Sequence, residues 1–366
     1  MPQKRVAVAM SGGVDSSLAT ALLKEAGYEV IGISMQISPS DEQARFGGCC
    51  GLEAIEDAKK VAYKLGIPHY VINFRDIFAQ KVIADFCLEY SLGRTPNPCI
   101  RCNQHIKFGL LLEKTLAMGA DYLATGHYAR IEHSQNGYCL LKAVDPTKDQ
   151  SYFLYTLGQR QLQHLLLPLA NLHKVEVRRL STEMGLPTAT RRESQDICFI
   201  PDNDYRSFIA KHIPPKSGDI VDTQGKVLGR HSGLAQYTVG QRQGLGLASN
   251  KRLYVIRLDA ASNRLVIGTK DQLLGNRLFA SKLSWVSGEA PKEPVDITAK
   301  IRYRSPEVTA KLHLNDGVAE VNFQQPQWAI APGQAIVFYQ GNAVLGGGII
   351  EAPEAPLPSQ EERDSK

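Results

Sequence analysis

No apolar run in the 366-residue sequence approaches the roughly 18 residues needed to cross a bilayer. The longest candidates, such as Leu165 to Ala170, are the size of buried core segments, so a membrane-integral protein is excluded on this reading. The apolar core of a secretory leader is missing too. Lys4 and Arg5 precede only Val6 to Met10 before Gly12, Gly13 and Asp15 break the run. A first β-strand in a cytoplasmic protein is the expectation. Charge of one sign is scarce: 42 Lys and Arg against 37 Asp and Glu leave +5, which permits a polyanionic partner without demanding one. Seven cysteines, an odd number, argue against a disulfide framework and for thiol or metal chemistry at a subset of them. Internal repeats and long low-complexity tracts are also lacking.

What is present is an ordinary globular composition, 43% hydrophobic and 22% charged. At about 150 residues per domain, the length predicts two or three domains. The first half alternates β-branched runs with helical patterns, the mark of a parallel sheet covered by helices. Strands are expected at Arg5 to Met10, Glu29 to Met35, His69 to Asn73 and Asp121 to Thr125. Leu18, Leu22 and Leu23 form one helical stripe, and Ala54, Ala58, Val61, Ala62 and Leu65 another. Gly27 and Gly66 stand where such helices end. From about Tyr205 the pattern turns to short β runs: Asp219 to Val221, Thr223 to Lys226, Leu253 to Leu258 and Arg264 to Ile267, with a hairpin turn at Asp259 to Asn263. The fold class read from this is α/β: a parallel-sheet nucleotide-binding domain (1–204), a small β-rich central domain (205–272) and a C-terminal β-barrel of about six strands (273–352). A disordered tail is expected over 353–366.

A doubly wound sheet binds ligands beyond the carboxyl ends of its strands, which directs attention to Ser11-Gly12-Gly13-Val14-Asp15-Ser16-Ser17. Glycines allow a tight turn, and the amides at the start of the following helix form a cradle for an anion. There is no Gly-Lys-Ser/Thr, so this is not the nucleoside-triphosphatase P-loop. The plain alternative is a Ser- or Asp-capped helix. The motif resembles the PP-loop of ATP pyrophosphatases, which cleave ATP between its α and β phosphates and activate a carbonyl oxygen by adenylation.

Adenylation turns a poor leaving oxygen into a good one, and a nucleophile must follow. Thr95-Pro96-Asn97-Pro98-Cys99-Ile100-Arg101-Cys102-Asn103 offers thiols. Its prolines predict an extended stretch. Arg101 and the start of a helix over Gln104 to Met118 would favour the thiolate. Half of a zinc knuckle is the competing reading, but no second CxxC exists, leaving only Cys49-Cys50 and Cys198 to complete it. Cys198 lies in Ser194-Gln195-Asp196-Ile197-Cys198-Phe199-Ile200 and alone would pass for a core thiol.

These motifs, with Gly126-His127-Tyr128, Lys148 to Leu154, Gly240-Gln241-Arg242, Gly244-Leu245-Gly246 and Gly346-Gly347-Gly348, occur in the same order in the bacterial tRNA-specific 2-thiouridylases. The resemblance runs from Val6 to Ile350 and identifies the chain as similar to that family. It implies ATP, with Mg²⁺, on Ala9, Met10, Ser11, Gly12, Gly13, Val14, Asp15 and Ser16, and adenosine near Met35 and Gly126. It implies a nucleophile at Cys102 and a persulfide at Cys198, the two forming a disulfide as sulfur is released. Asn97, Pro98 and Cys99 would meet the target base. His127, Lys148, Asp149, Gln150, Arg302, Tyr303, Arg304 and Gln334 would meet tRNA. Without the resemblance, His127 reads as a core or surface histidine, the 148–150 segment as a solvated turn, and Arg302 to Arg304 as a charged strand face.

Some relatives carry Asp at the position of Cys99. A [4Fe–4S] cluster on Cys99, Cys102 and Cys198 is thus an alternative to the metal-free route. The implied partners are tRNAs for Lys, Glu and Gln and a cysteine desulfurase or sulfur-relay protein, with no membrane. Rival readings are an amide-forming PP-loop ligase and a non-catalytic RNA-binding or redox protein. Cys49, Cys50, Cys87 and Cys139 read as core or surface residues.

Overall fold

The computed structural model describes residues 3–37, 51–192, 197–200, 204–247, 250–292 and 294–352. The expected tail, Cys49 and Cys50, and Ser194 to Asp196 lie outside them. Five strands, β1 (Arg5–Ala9), β2 (Glu29–Gln36), β3 (His69–Asn73), β4 (Tyr122–Ala124) and β7 (Leu165–Leu166), pair in parallel in the order β3-β2-β1-β4-β7. The near-continuous apolar character of β1 follows from cover on both faces. Val6 and Val8 pack with Ala58, Val61 and Ala62 of α2 (Leu52–Leu65), while Ala7 faces the opposite core. Helix α1 (Val14–Glu25) follows β1, with Leu18 buried beside Val177. Gly27 and Gly66 take φ of +83° and +61° at the two helix ends, as expected.

The connection from β3 to β4 runs through two long helices, α3 (75–91) and α4 (98–117), each with a segment of wider, π-type winding. A hairpin, β5 (Arg130–Ser134) and β6 (Gly137–Leu141), follows β4. Next come α5 (Gln159–Leu162), ahead of β7, and α6 (Lys174–Glu183). The central sheet has the order β10-β11-β8-β9, built from β8 (Gly218–Val221), β9 (Val227–His231), β10 (Tyr254–Asp259) and β11 (Arg264–Gly268). Two details depart from expectation. The segment Tyr205–His212 is a helix, α7, capped by the Asp204 carboxylate on Ser207 N (3.1 Å) and docked through Phe208 and Ile209. The strand expected at Thr223 to Lys226 is a turn. Asp222 accepts from the amides of Gln224 (3.0 Å) and Lys226 (2.9 Å), which closes the chain on itself before β9.

The last six strands are β12 (Leu274–Trp285), β13 (Val295–Lys300), β14 (Val308–Asn315), β15 (Val318–Trp328), β16 (Ala335–Gln340) and β17 (Ala343–Ile350). They form an antiparallel barrel closed by pairing of β12 with β17. The hairpin β5–β6 joins the barrel sheet where Ala343 meets Leu141. The barrel also shares a core with the parallel-sheet unit. Val286, Ala335, Val337, Tyr339, Val344 and Ile349 belong to the same apolar cluster as Tyr152, Tyr155, Phe86 and Cys102. Tyr152 donates its hydroxyl to the Ala335 carbonyl across this boundary (2.8 Å). Among the described residues no helix is long and apolar enough to cross a membrane.

Gly347 lets the barrel approach this closely: a Cβ there would stand 2.4 Å from Ile336 O and 2.8 Å from the Tyr155 ring. Gly347→Ala is expected to destabilise the whole chain by about 1–3 kcal/mol. Urea unfolding checks this, and a single transition moving to lower midpoint is the anticipated result. An unmoved midpoint would show the contact to be compliant.

Candidate active site

The strand order changes direction between β1 and β4, and the loops that follow these two strands meet there. Gly126, just past β4, lies against the PP-like loop so tightly that a Cβ would stand 2.8 Å from both Asp15 C and Ser16 N. Gly12 has φ +67°, and a Cβ on it would collide with Ala54 O at 2.1 Å, so only glycine fits. Gly13 is the N-cap of α1 and supplies no side-chain cap, which removes the capped-helix alternative. Hydroxyls brace the loop internally: Ser11 N donates to Ser16 Oγ (3.2 Å), and Ser17 Oγ donates to Gly13 O (2.8 Å). Ala9, Met10 and Met35 lie at the carboxyl ends of β1 and β2, with Met10 and Met35 buried, and Val14 opens α1. The residues assigned to the nucleotide around this loop, with Gly126, are thus on one sheet edge.

Asp15 does not stand alone. It accepts hydrogen bonds from the Tyr128 hydroxyl (2.7 Å) and Lys174 Nζ (2.5 Å), and the ammonium also sits 5.6 Å from the Tyr128 ring centroid. Sequence reasoning missed Lys174, which is buried at the start of α6. Its only local signal is a position in an amphipathic helix, 159 residues from Asp15. The carboxylate is therefore committed to protein donors. The loop offers amides and hydroxyls for a phosphate, and it offers no carboxylate cage for Mg²⁺, which would travel with ATP.

The thiol segment differs from expectation. The helix begins at Pro98, not Gln104: Asn97 is the extended N-cap and accepts from Ile100 N (3.4 Å). Pro98 takes the first helical position, where its missing N–H is no loss. Cys99 and Cys102 therefore share a helix face, three residues apart. The helix end acts first on Cys99, with Cys102 one turn deeper. Arg101 is spent on Asp85 (3.2 Å) and Gln104 (3.3 Å). Phe108, midway along α4, sets its ring 5.6 Å from His127 just past β4, so the half of α4 that carries Cys99 and Cys102 extends on the side of the sheet where the nucleotide loop lies. Cys102 is buried in the shared core, Cys99 is exposed, and half-buried Cys198 packs against that same core. Among the described residues, no three His, Cys, Asp or Glu side chains converge as metal ligands. With one thiol at the surface and one inside, Cys99, Cys102 and Cys198 do not fit [4Fe–4S] ligation in this arrangement.

The residues expected to meet tRNA divide into two groups. Lys148 and Tyr303 are half-buried, Arg304 is exposed, and Tyr303 packs on Phe153 with ring centroids 4.4 Å apart. Others turn inward. Asp149 is buried and accepts from Ala143 N (2.9 Å) and Ser151 Oγ (2.8 Å), while Gln150 Oε1 accepts from Tyr128 N (3.0 Å). These two shape the loop that carries half-buried Lys148. Arg302 donates to the carbonyls of Val239 (3.1 Å) and Ala329 (2.9 Å), bolting the central sheet to the barrel. It also lines an open cavity of about 400 Å³ with Arg206, Gln241 and Gln243. Gln334 donates to Thr95 O (2.8 Å) and Pro96 O (3.4 Å).

Residues 4–202 match the family model of a tRNA methyl transferase HUP domain, 206–269 that of a tRNA methyl transferase PRC-barrel domain, and 276–350 that of an aminomethyltransferase β-barrel domain. Fold and loop together make this a HUP-class nucleotide-binding protein. A Halothermothrix orenii protein named tRNA-specific 2-thiouridylase MnmA is 50% identical over 353 residues, 95% of this chain and 99% of its own. A Geotalea uraniireducens protein of the same name is 52% identical over 358 residues, 95% of each chain. A solved 4-thiouridine synthetase–RNA complex aligns at 15% identity over 58% of this chain and 50% of that one, with a TM-score of 0.34, too distant to carry an argument. The chain belongs to the tRNA-specific 2-thiouridylase family.

His127 bears on how this site titrates. Its Nδ1 lies 2.7 Å from Thr125 Oγ1 and its ring 5.6 Å from Phe108. Burial, and after it Lys107, pushes its pKa well below 6.5, so the ring is neutral and a charged phosphate contact is ruled out for it at neutral pH. The unfolded chain, with an ordinary histidine, binds more protons than the folded one below about pH 6.5, so stability falls as pH drops through that value. His127→Gln is expected to shrink the loss of urea midpoint between about pH 7.5 and about pH 5.5. An undiminished loss would assign the effect to other histidines whose pKa burial lowers, such as half-buried His69.

Proposed function

We propose that this protein is a cytoplasmic, ATP-dependent sulfurtransferase that replaces the C2 oxygen of the wobble uridine in tRNA with sulfur. Two observations support this reading: an uncapped glycine loop at the carboxyl end of β1, and a helix start that carries two thiols. ATP sits on Ala9 to Ser16, with adenosine toward Met35 and Gly126. The uridine C2 oxygen attacks the α-phosphate and pyrophosphate leaves. Ser11, Ser16 and the amides at the start of α1 face the departing charge. The base is out of its stack for this chemistry, against Asn97, Pro98 and Cys99.

A cysteine desulfurase or relay protein loads Cys198 as a persulfide. Its terminal sulfur attacks the adenylated C2, AMP leaves, and the base is joined to Cys198 through two sulfurs. The Cys102 thiolate then attacks the Cys198 sulfur, releasing 2-thiouridine and forming a Cys102–Cys198 disulfide. A thiol reductant restores the pair. Both cysteines border one core, which supports this pairing. An amine-transferring ligase would have no use for the second thiol. The tRNA grip is assigned to Lys148, Tyr303 and Arg304, with isoacceptors for Lys, Glu and Gln as substrates.

Incubation of the protein with ATP, tRNA and a persulfide donor, followed by nucleoside mass spectrometry, tests the reading. Formation of 2-thiouridine with stoichiometric AMP and pyrophosphate is expected. Cys198→Ser and Cys102→Ser are each expected to abolish the product while leaving tRNA affinity intact. Undiminished product from Cys198→Ser would reject its role. Salt dependence tests the RNA surface separately. Arg304→Ala, or Arg206→Gln in the cavity beside Arg302, should flatten the slope of log affinity against log salt by about 0.7–0.9 for each phosphate no longer neutralised. An identical slope would remove that residue from the interface. Because Arg302 holds two carbonyls, Arg302→Ala is expected to lower stability as well as affinity.

A further inference from the structure

The segment leading into the thiol helix, Arg94 to Pro96, forms no helix or strand of its own, and the backbone of Thr95 and Pro96 is bound by the barrel. Thr95 N donates to Pro332 O (2.7 Å), and Gln334 Nε2 donates to Thr95 O (2.8 Å) and Pro96 O (3.4 Å). Gly333, with φ +88°, lies so close that a Cβ would stand 2.8 Å from Thr95 N and 2.9 Å from Arg94 Cβ. Arg94 is held from two sides: Nε on Glu89 (2.6 Å) from α3, and Nη1 on Glu351 (2.5 Å) just past β17. Glu351 is itself fixed by the Ser281 hydroxyl of β12. All three ionic side chains are largely buried, where a charge pair is screened little.

We propose that Gln334, Arg94 and Glu351 are positioning residues: they lock the start of the thiol helix to the rim of the barrel and thereby set where Cys102 stands. The proposal rests on the sulfurtransferase reading only for its catalytic consequence. Asn97 begins the helix one residue beyond the clamped segment, so any slip of Thr95 or Pro96 is passed to Cys99 and Cys102 through a rigid element. The geometry also gives Gln334 a role other than direct tRNA contact. Both N–H bonds of its amide point to protein carbonyls, and the remaining Oε1 accepts hydrogen bonds only, so it has nothing to offer a phosphate. Misplacement of a reacting group by about 1 Å costs on the order of a hundredfold in rate, so a clamp of this kind matters to the chemistry without touching the substrate.

The test uses the full-length protein and iodoacetamide as the probe. Gln334→Ala removes the two carbonyl contacts, and Glu351→Gln, nearly isosteric, removes the charge from the Arg94 pair. The rate of Cys102 alkylation is read by peptide mass spectrometry against Cys139 on β6 as internal standard. Both variants should raise the Cys102 rate relative to Cys139 by about threefold or more, and lower single-turnover thiolation about tenfold, with tRNA Kd within about twofold. Arg94→Lys, which keeps the charge but not the fork between Glu89 and Glu351, should show an intermediate rate. Unchanged relative alkylation in both variants overturns the proposal. So does a weakened tRNA Kd with normal alkylation and normal turnover at saturating tRNA, which would make Gln334 a plain tRNA contact. Alkylation needs neither ATP nor tRNA. A wild-type protein that forms no 2-thiouridine would therefore sink the functional reading and leave this result standing.

Discussion

Tyr152 and Tyr155 are sealed from solvent because barrel strands supply one wall of their surroundings, and the rest of the arrangement depends on that shared core. Apolar burial is non-directional and would tolerate several docking angles. The Tyr152 hydroxyl on Ala335 O, the Gln159 amide on Val286 O (2.8 Å) and the fit of Gly347 against the Tyr155 ring select one. With the barrel fixed, its rim meets the chain at Arg94 to Pro96, and the thiol helix starts from a defined point. A barrel on a free linker would leave that start unsupported. The same core buries Cys102, so the position of the nucleophile and the docking of the barrel are one packing problem.

At the sheet edge the constraint is of a different kind. The nucleotide loop is shaped by steric exclusion: glycines at 12 and 126 let backbone meet backbone where a Cβ has no room. Asp15 is then anchored by a buried lysine and a tyrosine hydroxyl. Charge in this protein is concentrated at such joints. Arg94, Arg302 and Lys174 all spend much of their hydrogen-bonding capacity on other parts of the chain. The modest net charge of +5 therefore does not show how much of the cationic inventory is structural, while residues such as Arg304 keep their charge exposed.

Much of the fold was legible. Four of the five strands of the parallel sheet, the glycine-ended helices and the six-stranded barrel followed from periodicity and turn residues, because those are short-range consequences of burying one face; the two-residue β7 and the hairpin β5–β6 did not. Errors came where a local device overrode the pattern. Asp222 turned an apparent strand into a turn, Asp204 started an unexpected helix, and Asn97-Pro98 began the thiol helix nearly two turns early by capping where extension was expected. Each is a short polar side chain closing on a nearby amide, and that competes well with a weak β pattern.

The sequence by itself determined which chemistries are present: a glycine loop after a strand, two cysteines beside a helix start, a third thiol between apolar residues. It did so because each depends on residues within one turn or loop. Tertiary structure alone decided which of the conspicuous residues hold the protein together. The family resemblance implied tRNA contacts at Asp149, Arg302 and Gln334, yet each is engaged by backbone groups of the chain itself. Lys174 is 159 positions from Asp15, and Arg94 is 257 from Glu351. Hydrogen-bond capacity is finite, and where it is spent depends on neighbours that only the packed chain brings within about 3 Å of each other.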